Sequence, residues 1–526
     1  MGNFIDSAST INDAVNSFVW SKTGVWLLIA VGIIMTVLTG FFQVTHIRHW
    51  MKKTLGSIFD SKVKGKTHEK ASISQFQALC TALAATVGVG NIAGVAAAIS
   101  TGGPGAVFWM WVAAFFGMMT NFSENTLGIY FRRKNHAGEW SGGAMYYLQD
   151  GLGGYRHMKI PGRILAVIFA FCAMLASFGI GNMGQVNKIV VNLTSAFDIP
   201  ALSSRVLYTS SDGTSTVTLY MLIVGLILTV VVGFIILGGL KRIAAVAEKI
   251  VPVMVVAFIA GSLIIIIKNC SHIGAAFSSI FAGAFNGKAM WGGVAGITLK
   301  EVLTIGCKRG VFSNEAGLGS SVMVHSNSNV VEPVKQGMWG IFEVFADTII
   351  ICTMTALVIL TSGVIDLETG ISLASDDATM VAAAFDTVFH VGDFAFGGIF
   401  IALAILLFAF TTILGWSHYG TKAVEYLAGS KAKTAGRIYK VVFVLMIVSG
   451  SVMTSSLAWD ISDTFNGFMM IPNLIGVLAL APLVRKLTKN YIDRRLKHRT
   501  DVKPMLSHFP EIEAEHAKKI AETGED

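Results

Sequence analysis

The sequence predicts an all-α polytopic membrane protein with eleven transmembrane helices, and three observations support this fold class. Of 526 residues, 53% are hydrophobic and only 14% are charged, against roughly a quarter charged in an average soluble domain. Eleven apolar stretches occur, and a membrane-spanning helix needs about 20 such residues. Basic residues gather in alternate loops, as they do in polytopic proteins. A soluble enzyme is therefore excluded.

The eleven stretches differ in length and composition. The first is too long for a signal-peptide core and is expected to be a retained helix. The seventh is short and rich in glycine, and it needs flanking residues as far as Gly306 to cross the bilayer. The predicted spans are 23–45, 74–99, 104–123, 164–187, 217–237, 250–267, 289–299, 344–362, 394–416, 441–459 and 464–484.

The basic residues predict the orientation of the chain. Loops 46–73 and 131–163 are rich in Lys and Arg, whereas the loop between residues 362 and 393 has none. Short cytoplasmic loops collect positive charge, so we expect the N-terminus outside and the C-terminus in the cytoplasm of a bacterial or archaeal plasma membrane. The net charge of +8 then reflects topology and does not indicate a nucleic-acid partner. We expect the basic tail after residue 485 to lie at the membrane surface, partly disordered.

After the first helix, spans two to six and seven to eleven form two groups of five. Because five is odd, the groups would be related as inverted repeats. The predicted units are 1–73 with the extra helix, 74–267, 268–485 and the tail 486–526. Each group opens with its most glycine-interrupted helix, at 87–91 and 291–296. Such glycines often serve helix packing, but matched interruptions in both halves indicate a binding site.

Several motifs carry a resemblance to a known family. They are residues 86–94 (TVGVGNIAG), 102–111 (GGPGAVFWMW), 309–320 (RGVFSNEAGLGS) and the pair at 347–348 (DT). The sequence resembles the alanine or glycine:cation symporter family, also called sodium:alanine symporters, over about residues 15–490. The resemblance implies a leucine-transporter-type fold with ten core helices in two inverted repeats and one extra helix.

The resemblance also implies a function. Such a protein is a secondary active transporter that imports a small neutral amino acid, alanine or glycine, with Na⁺ by alternating access. Another neutral substrate such as glutamine, or coupling to H⁺, stays open. The partners expected are the amino acid, Na⁺ and the lipid bilayer, with no cofactor and with the oligomeric state undetermined.

Two other function classes compete with a transporter. A membrane enzyme would need an intramembrane cluster of His, Cys or acidic residues, and the twelve histidines do not cluster inside the spans. A channel would fit the hydropathy alone. No GxxxxGK[ST] string occurs, which argues against direct use of ATP.

The two interrupted helices predict the substrate site. A zwitterion at the bilayer midplane needs partners for both of its charges, and the peptide groups of an unwound helix supply them. The first interruption contributes Thr86, Gly88, Gly90 and Asn91, and the second contributes Gly296, Ile297 and Thr298. An interhelical hydrogen bond is the competing interpretation of Asn91.

Three further side chains are expected at the substrate. Asn182 and Gln185 share a helix face, and uncharged amides suit a zwitterion, although helix–helix adhesion would also explain them. Trp416 lies one turn after Thr412, and the resemblance implies that its indole closes the pocket. A tryptophan at the membrane interface is the alternative.

Two adjacent threonines predict the cation site. Thr411 and Thr412 lie inside the otherwise apolar span 394–416. The resemblance implies that hydroxyls on this helix join the carbonyls of Ala84 and Val87 to hold Na⁺. The alternative is that each hydroxyl bonds only to its own helix backbone.

Charged residues also lie in or near the spans. Most of them, including Glu124 and Glu343, are close to a predicted loop, so we expect them to snorkel to the membrane surface. Asp347 is deeper, and we expect a gate salt bridge to a cytoplasmic basic residue. A proton-relay role is the alternative, and it would change the coupling ion. Residues 372–390 predict an amphipathic outer helix that could act as a lid.

Overall fold

A computed structural model of the protein describes residues 2–58, 72–135, 138–209, 216–285, 298–367, 377–392, 394–453 and 456–523. These residues are mainly helical, and turns and loops join the helices. The strands form short antiparallel hairpins: β1 (Arg133–Lys134) pairs with β2 (Trp140–Ser141), β3 (Val206–Thr209) with β4 (Thr216–Thr218), and β5 (His390–Val391) with β6 (Phe394–Ala395).

The helices are numbered in chain order. The first half of the chain contains α1 (Gly2–Ser17), α2 (Val25–Leu38), α3 (Phe42–Thr45), α4 (Ile47–Lys53), α5 (Gln75–Thr86), α6 (Val95–Gly102), α7 (Gly105–Tyr130), α8 (Ala144–Tyr146), α9 (Lys159–Phe178), α10 (Gly184–Ala196), α11 (Pro200–Ser203), α12 (Leu219–Ile236) and α13 (Leu240–Lys268). The second half contains α14 (Ile273–Phe285), α15 (Leu299–Asn314), α16 (Val322–His325), α17 (Pro333–Val344), α18 (Thr353–Thr361), α19 (Asp377–Asp386), α20 (Gly397–Ala428), α21 (Ala432–Val452), α22 (Ser456–Ala479), α23 (Ala481–Arg495) and α24 (Pro510–Thr523). Wider π-helical turns occur at Phe18–Gly24, Gly90–Gly94, Tyr147–Gly151, Gly179–Met183 and Phe345–Cys352.

The fold is that of a multi-pass membrane protein. Among the described residues, 7 helical segments are long and apolar enough to cross a membrane, or 9 if each of two bent pairs counts as one span. Helices such as α12 carry exposed apolar side chains, including Val230 and Phe234, which is the surface that lipid solvates. The count of eleven spans and the inverted repeat stay predictions.

The predicted seventh span, 289–299, lies almost entirely outside the described residues, so it stays a prediction. The residues before it, expected as a loop, are partly helical. The apolar helix α14 covers Ile273–Phe285, and α15 begins at Leu299. Residues 286–297 lie outside the described part of the chain. The 13 residues of α14 are too few to stand out as a span on hydropathy alone.

Two long helices form the interior of the bundle. Helix α7 packs against α2, α14, α15 and α17, and α20 packs against α5, α9, α10, α13, α19 and α21. Close approach depends on small residues. A Cβ at Gly105 would overlap the backbone of Gly283, so α7 and α14 meet backbone to backbone.

A helix lies within the segment that amphipathicity predicts. Helix α19 covers Asp377–Asp386 of the predicted segment 372–390, and its residues Met380, Val381, Ala384 and Phe385 are buried. It packs against α6, α18 and α20. The alternation of apolar and polar positions therefore corresponds to a real packing face.

The tail is more ordered than expected. After α23 the chain returns to the loop that follows α7, where the His508 amide donates to the Tyr130 carbonyl (2.8 Å) and Lys134 pairs with Glu515. Burial, with Arg132 and lysines nearby, lowers the pKa of His516 to about 3, so its ring packs on Trp140 as the neutral form. The described tail thus packs on protein and is ordered there, while its placement at the membrane surface stays a prediction.

Candidate functional site

The helix formed by residues 75–102 is broken in the middle of the bundle. Helix α5 ends at Thr86, and Val87 leaves the helical conformation with φ −77° and ψ 87°. Helical structure resumes at Gly90, after a bend of 53°. All residues from Leu79 to Ile99 are buried, so the break lies in the protein interior. The predicted interruption at 87–91 is therefore a real one.

The break frees backbone carbonyls. The Val87 amide makes the last helical bond, to the Leu83 carbonyl (2.8 Å), while the Gly88 amide donates to the Asn91 side chain (Oδ1, 2.9 Å). Beyond that point the carbonyls of α5, beginning with that of Ala84, have no helical partner. Such carbonyls are ligands for a cation or an ammonium group.

Two other helices meet the break at Gly88. A Cβ at this position would lie 2.6 Å from Thr412 Oγ1 and 3.6 Å from Gln185 Oε1. Similarly, a Cβ at Gly415 would lie 2.6 Å from that of Ala85. The absence of side chains at both glycines lets α20 and α10 approach the unwound backbone.

The two threonines differ in direction. Both hydroxyls donate to the Phe408 carbonyl on their own helix, at 2.9 Å for Thr411 and 3.0 Å for Thr412. Thr412 Oγ1 faces Gly88, whereas Thr411 Oγ1 lies 3.7 Å from Met254 Sδ. A hydroxyl that donates its proton keeps its lone pairs for a cation. Each hydroxyl therefore bonds to its own helix backbone, as the alternative interpretation expects. The Thr412 oxygen nevertheless also faces the break.

The two amides have different surroundings. Asn182 Nδ2 donates to the Phe443 carbonyl of α21 (2.6 Å). This bond joins two helices, as the alternative interpretation of Asn182 expects. Gln185 Nε2 donates to the Ile180 carbonyl (3.0 Å), and its Oε1 faces Gly88. Neither Asn182 Oδ1 nor Gln185 Oε1 has a hydrogen-bond partner among the described residues. These buried acceptors are available to a donor such as an ammonium group.

Asn91 joins the break to Asp347. Its Nδ2 donates to Asp347 Oδ1 (2.7 Å), and Asp347 Oδ2 accepts from Ser313 Oγ and Thr348 Oγ1, each at 2.8 Å. All four side chains are buried. Neutral donors surround Asp347 in place of the basic residue expected for a gate salt bridge. Asn91 thus makes an interhelical hydrogen bond, as its competing interpretation expects. Its Oδ1 also accepts from the Gly88 amide inside the break.

Trp416 is an interior residue. It is 1% exposed, and a Cβ at Gly181 would overlap the Cβ of Trp416. Its Nε1 donates to Glu315 Oε1 (2.9 Å), and Glu315 has the left-handed φ of 55°. The interface alternative is therefore wrong. Sequence reasoning gave Glu315 no role, although an acidic residue within a glycine-rich motif was the available signal.

Two predicted residues, Thr298 and Thr86, do not join this cluster through their side chains. Thr298 is exposed and caps α15, where its hydroxyl accepts from the Glu301 amide (3.3 Å). Gly296 and Ile297 lie outside the described residues. The Thr86 hydroxyl donates within α5 to the Ala82 carbonyl (3.2 Å), so Thr86 can contribute to the break only through its backbone. Gly90 lies beside the break, against Phe312.

The donor set at the break favours an alkali cation. The described residues contain no group of three or more His, Cys, Asp or Glu side chains that could hold a metal ion. The oxygens around Gly88 belong to carbonyl, hydroxyl and amide groups. Neutral oxygens from an unwound helix are typical of Na⁺ sites in transporters, whereas transition metals select imidazole and thiolate.

A buried, broken helix faced by polar side chains inside a membrane bundle is typical of secondary transporters. A crystal structure of MhsT in complex with L-phenylalanine has the same fold, with a TM-score of 0.53 and 13% identity, covering 80% of this chain and 99% of that one. The class defined by fold is thus a helical membrane protein of the leucine-transporter type.

The family follows from sequence comparison. The model of the sodium:alanine symporter family matches residues 5–505, and the chain belongs to this family. It is 40% identical to the sodium/alanine symporter AgcS of Methanococcus maripaludis over 93% of this chain and 98% of that protein. It is 36% identical to the probable sodium/glutamine symporter GlnT of Bacillus subtilis over 90% and 89%. These are transporters and not enzymes.

Proposed function

We propose that the protein imports a small neutral amino acid, alanine or glycine, together with Na⁺ by alternating access. The observation that carries the proposal is the break at Val87 and Gly88, which Thr412 and Gln185 face from two other helices. Carbonyl, hydroxyl and amide oxygens converge there, as a cation and an ammonium group require. The 40% identity to a sodium/alanine symporter supports the same assignment.

In this proposal the cation lies between α5 and α20. The carbonyls of Ala84 and Val87 and the hydroxyl of Thr412 supply neutral oxygens, whereas the hydroxyl of Thr411 lies against Met254 and is left out of the set. Their support is the interrupted helix and the contact of Thr412 with Gly88. A Na⁺ held by neutral ligands keeps its charge, so the membrane potential acts on it.

The amino acid lies on the other side of Gly88. Amide groups at the start of the second half-helix, near Gly90, would face the substrate carboxylate with the positive end of the helix dipole. Gln185 and Asn182 would accept from the ammonium group through their free oxygens. Asn91 fixes the backbone by accepting from the Gly88 amide.

Trp416 would limit the size of the substrate. Its bond to Glu315 and its close contact with Gly181 hold the indole in one position. A rigid wall of this kind favours a short side chain. Glutamine is the second candidate, because a relative 36% identical to this chain is named a probable sodium/glutamine symporter.

The driving force is sufficient for uphill import. One charge crossing a potential of 100 mV contributes about 2.3 kcal/mol. A tenfold Na⁺ gradient adds about 1.4 kcal/mol, and the total of about 3.7 kcal/mol supports roughly 500-fold accumulation. One Na⁺ for each amino acid would therefore be enough.

Uptake into proteoliposomes tests the proposal. Radiolabelled alanine, glycine and glutamine are supplied with an inward Na⁺ gradient, and again with the gradient replaced by K⁺ or by a pH gradient. We expect sodium-driven accumulation of alanine or glycine above equilibrium. Accumulation of glutamine alone would select the second candidate, and equal uptake without Na⁺ would refute sodium coupling.

A further inference from the structure

A second buried polar cluster lies one helical turn from Asp347 and has no part in the proposed transport site. Its centre is Glu343 on α17, whose Oε2 lies 3.1 Å from Nε2 of His325 on α16. The same oxygen accepts from Asn121 Nδ2 of α7 (3.0 Å). Both Glu343 and His325 are completely buried. The expectation that Glu343 snorkels to the surface is therefore wrong.

The Glu343 carboxyl group is incompletely satisfied. Its Oε1 is buried and has no hydrogen-bond partner among the described residues. A bare carboxylate oxygen in a membrane interior is strongly disfavoured. A proton on the carboxyl group, or on the adjacent imidazole, removes the net charge of the pair. The geometry thus indicates a site that binds H⁺.

The neighbours of His325 can accommodate two protonation states. Gln336 Nε2 lies 2.5 Å from His325 Nδ1, and Gln336 Oε1 accepts from Ser328 Oγ (3.0 Å). In this arrangement Nδ1 accepts, so the neutral ring donates from its own Nε2 to Glu343. Rotation of the Gln336 amide would let its oxygen accept from Nδ1 of an imidazolium, with the hydroxyl of Ser328 accepting from the amide nitrogen.

Other charged groups surround the pair. Three further buried carboxyl groups lie within electrostatic reach of Glu343, and they belong to Glu124, Glu315 and Asp347. The buried Tyr419 of α20 also lies within reach. Helix α17 also packs against α4, which carries Arg48, His49, Lys52 and Lys53, against α23, whose Arg494 pairs with Glu332, and against α5, which has no acidic or basic side chain. Helix α20 packs against α16 and carries His418, which lies beside Asn327. Buried carboxyl groups that share one apolar region disfavour one another's ionised forms, which favours a bound proton among them.

The pair is connected to the candidate transport site. Glu343 and Asp347 are four residues apart on one helical segment and so share a face. Asp347 in turn accepts from Asn91 at the break. A charge gained or lost at Glu343 therefore acts on the hydrogen bonds that shape the break.

We propose that Glu343 and His325 form a proton-binding site that is loaded and unloaded during the transport cycle. This inference rests on the proposed transport function. It assigns a ligand, H⁺, to a pair of side chains outside the amino-acid and Na⁺ sites.

The first test is the pH profile of sodium-driven alanine uptake between about pH 5 and 8, the range in which histidine as a residue type changes charge. Wild type is compared with Glu343→Gln, His325→Gln and the matched control Glu332→Gln, another buried carboxyl group. In wild type and in the control, we expect the uptake rate to change with pH over part of this range. The slope should approach about tenfold per pH unit, the limit for one proton. Glu343→Gln and His325→Gln lose it. A Glu343→Gln profile parallel to that of wild type overturns the proposal.

A second test needs no variant. Purified wild type in weakly buffered detergent solution receives Na⁺ and alanine while a pH-sensitive dye reports protons. We expect release or uptake of up to one proton per protein, and no change at any pH overturns the proton site. Wild-type uptake that is independent of Na⁺ would instead refute the proposed function, so the two failures are distinguishable.

Discussion

The substitution Thr412→Val tests the assignment of the cation site. Valine keeps the shape of threonine and removes only the hydroxyl oxygen that faces Gly88. Thr412 is 2% exposed, so bulk water cannot replace the lost oxygen. The hydrogen bond from Thr412 to the Phe408 carbonyl is also lost, but Thr411 donates to the same carbonyl and keeps it satisfied.

The magnitude follows from the nature of the lost contact. An interaction between a polar group and a charged one contributes about 1.5–3 kcal/mol. Since 1.4 kcal/mol corresponds to a factor of about ten, the Na⁺ concentration that gives half-maximal uptake should rise by about 10- to 100-fold. The maximal rate at saturating Na⁺ should change much less, because the oxygen acts on the ion and not on the amino acid.

The assay is alanine uptake into proteoliposomes as a function of external Na⁺. Thr412→Ser keeps the oxygen and should resemble wild type. Thr361→Val is a matched control, since Thr361 is buried and donates only to the Leu357 carbonyl of its own helix (2.7 Å). A Thr412→Val variant with wild-type sodium dependence would show that the ion lies elsewhere.

Two further predictions concern the walls of the site. Gly88→Ala would place a Cβ 2.6 Å from Thr412 Oγ1. The resulting overpacking costs about 1–3 kcal/mol and should suppress sodium-driven uptake. Gly94→Ala is the control and should transport normally, because a Cβ at Gly94 meets nothing within 4 Å. Equal activity of both variants would contradict the placement of Gly88. Trp416→Phe leaves Glu315 Oε1 buried without its donor, which should lower the free energy of unfolding by about 1–3 kcal/mol. The unfolding temperature measured on purified protein should therefore fall. An unchanged melting temperature would argue against that bond.

Several parts of the cluster could be recognised from local sequence because they depend on local physics. The glycines around 88–90 interrupt a helix wherever that helix lies, since they relax the backbone and leave room for a neighbour. The amides at 182 and 185 share a face by helical periodicity alone. What periodicity could not supply was the partner, and Asn182 bonds to Phe443, 261 residues away in the chain.

The charged residues show the limit of the same reasoning. Glu124 and Glu343 lie near helix ends, so exposure to the membrane surface was the natural expectation. Both are instead buried and bonded to distant amides, Glu124 to Asn473 (2.5 Å) and Glu343 to Asn121 (3.0 Å). Depth along a helix can be read from sequence, whereas the direction a side chain faces depends on which helices surround it.

The sequence by itself determined the membrane environment, the helical class and the position of the first helix break. Lipid requires each span to satisfy its own backbone, so these properties are recorded in short stretches of the chain. Only the tertiary structure decided that Thr412 and Gln185 meet Gly88, that Trp416 bonds to Glu315, and that the tail packs on protein. The physical reason is that such contacts join residues far apart in the chain, and each forms only when packing of the whole bundle offsets the cost of burying polar groups.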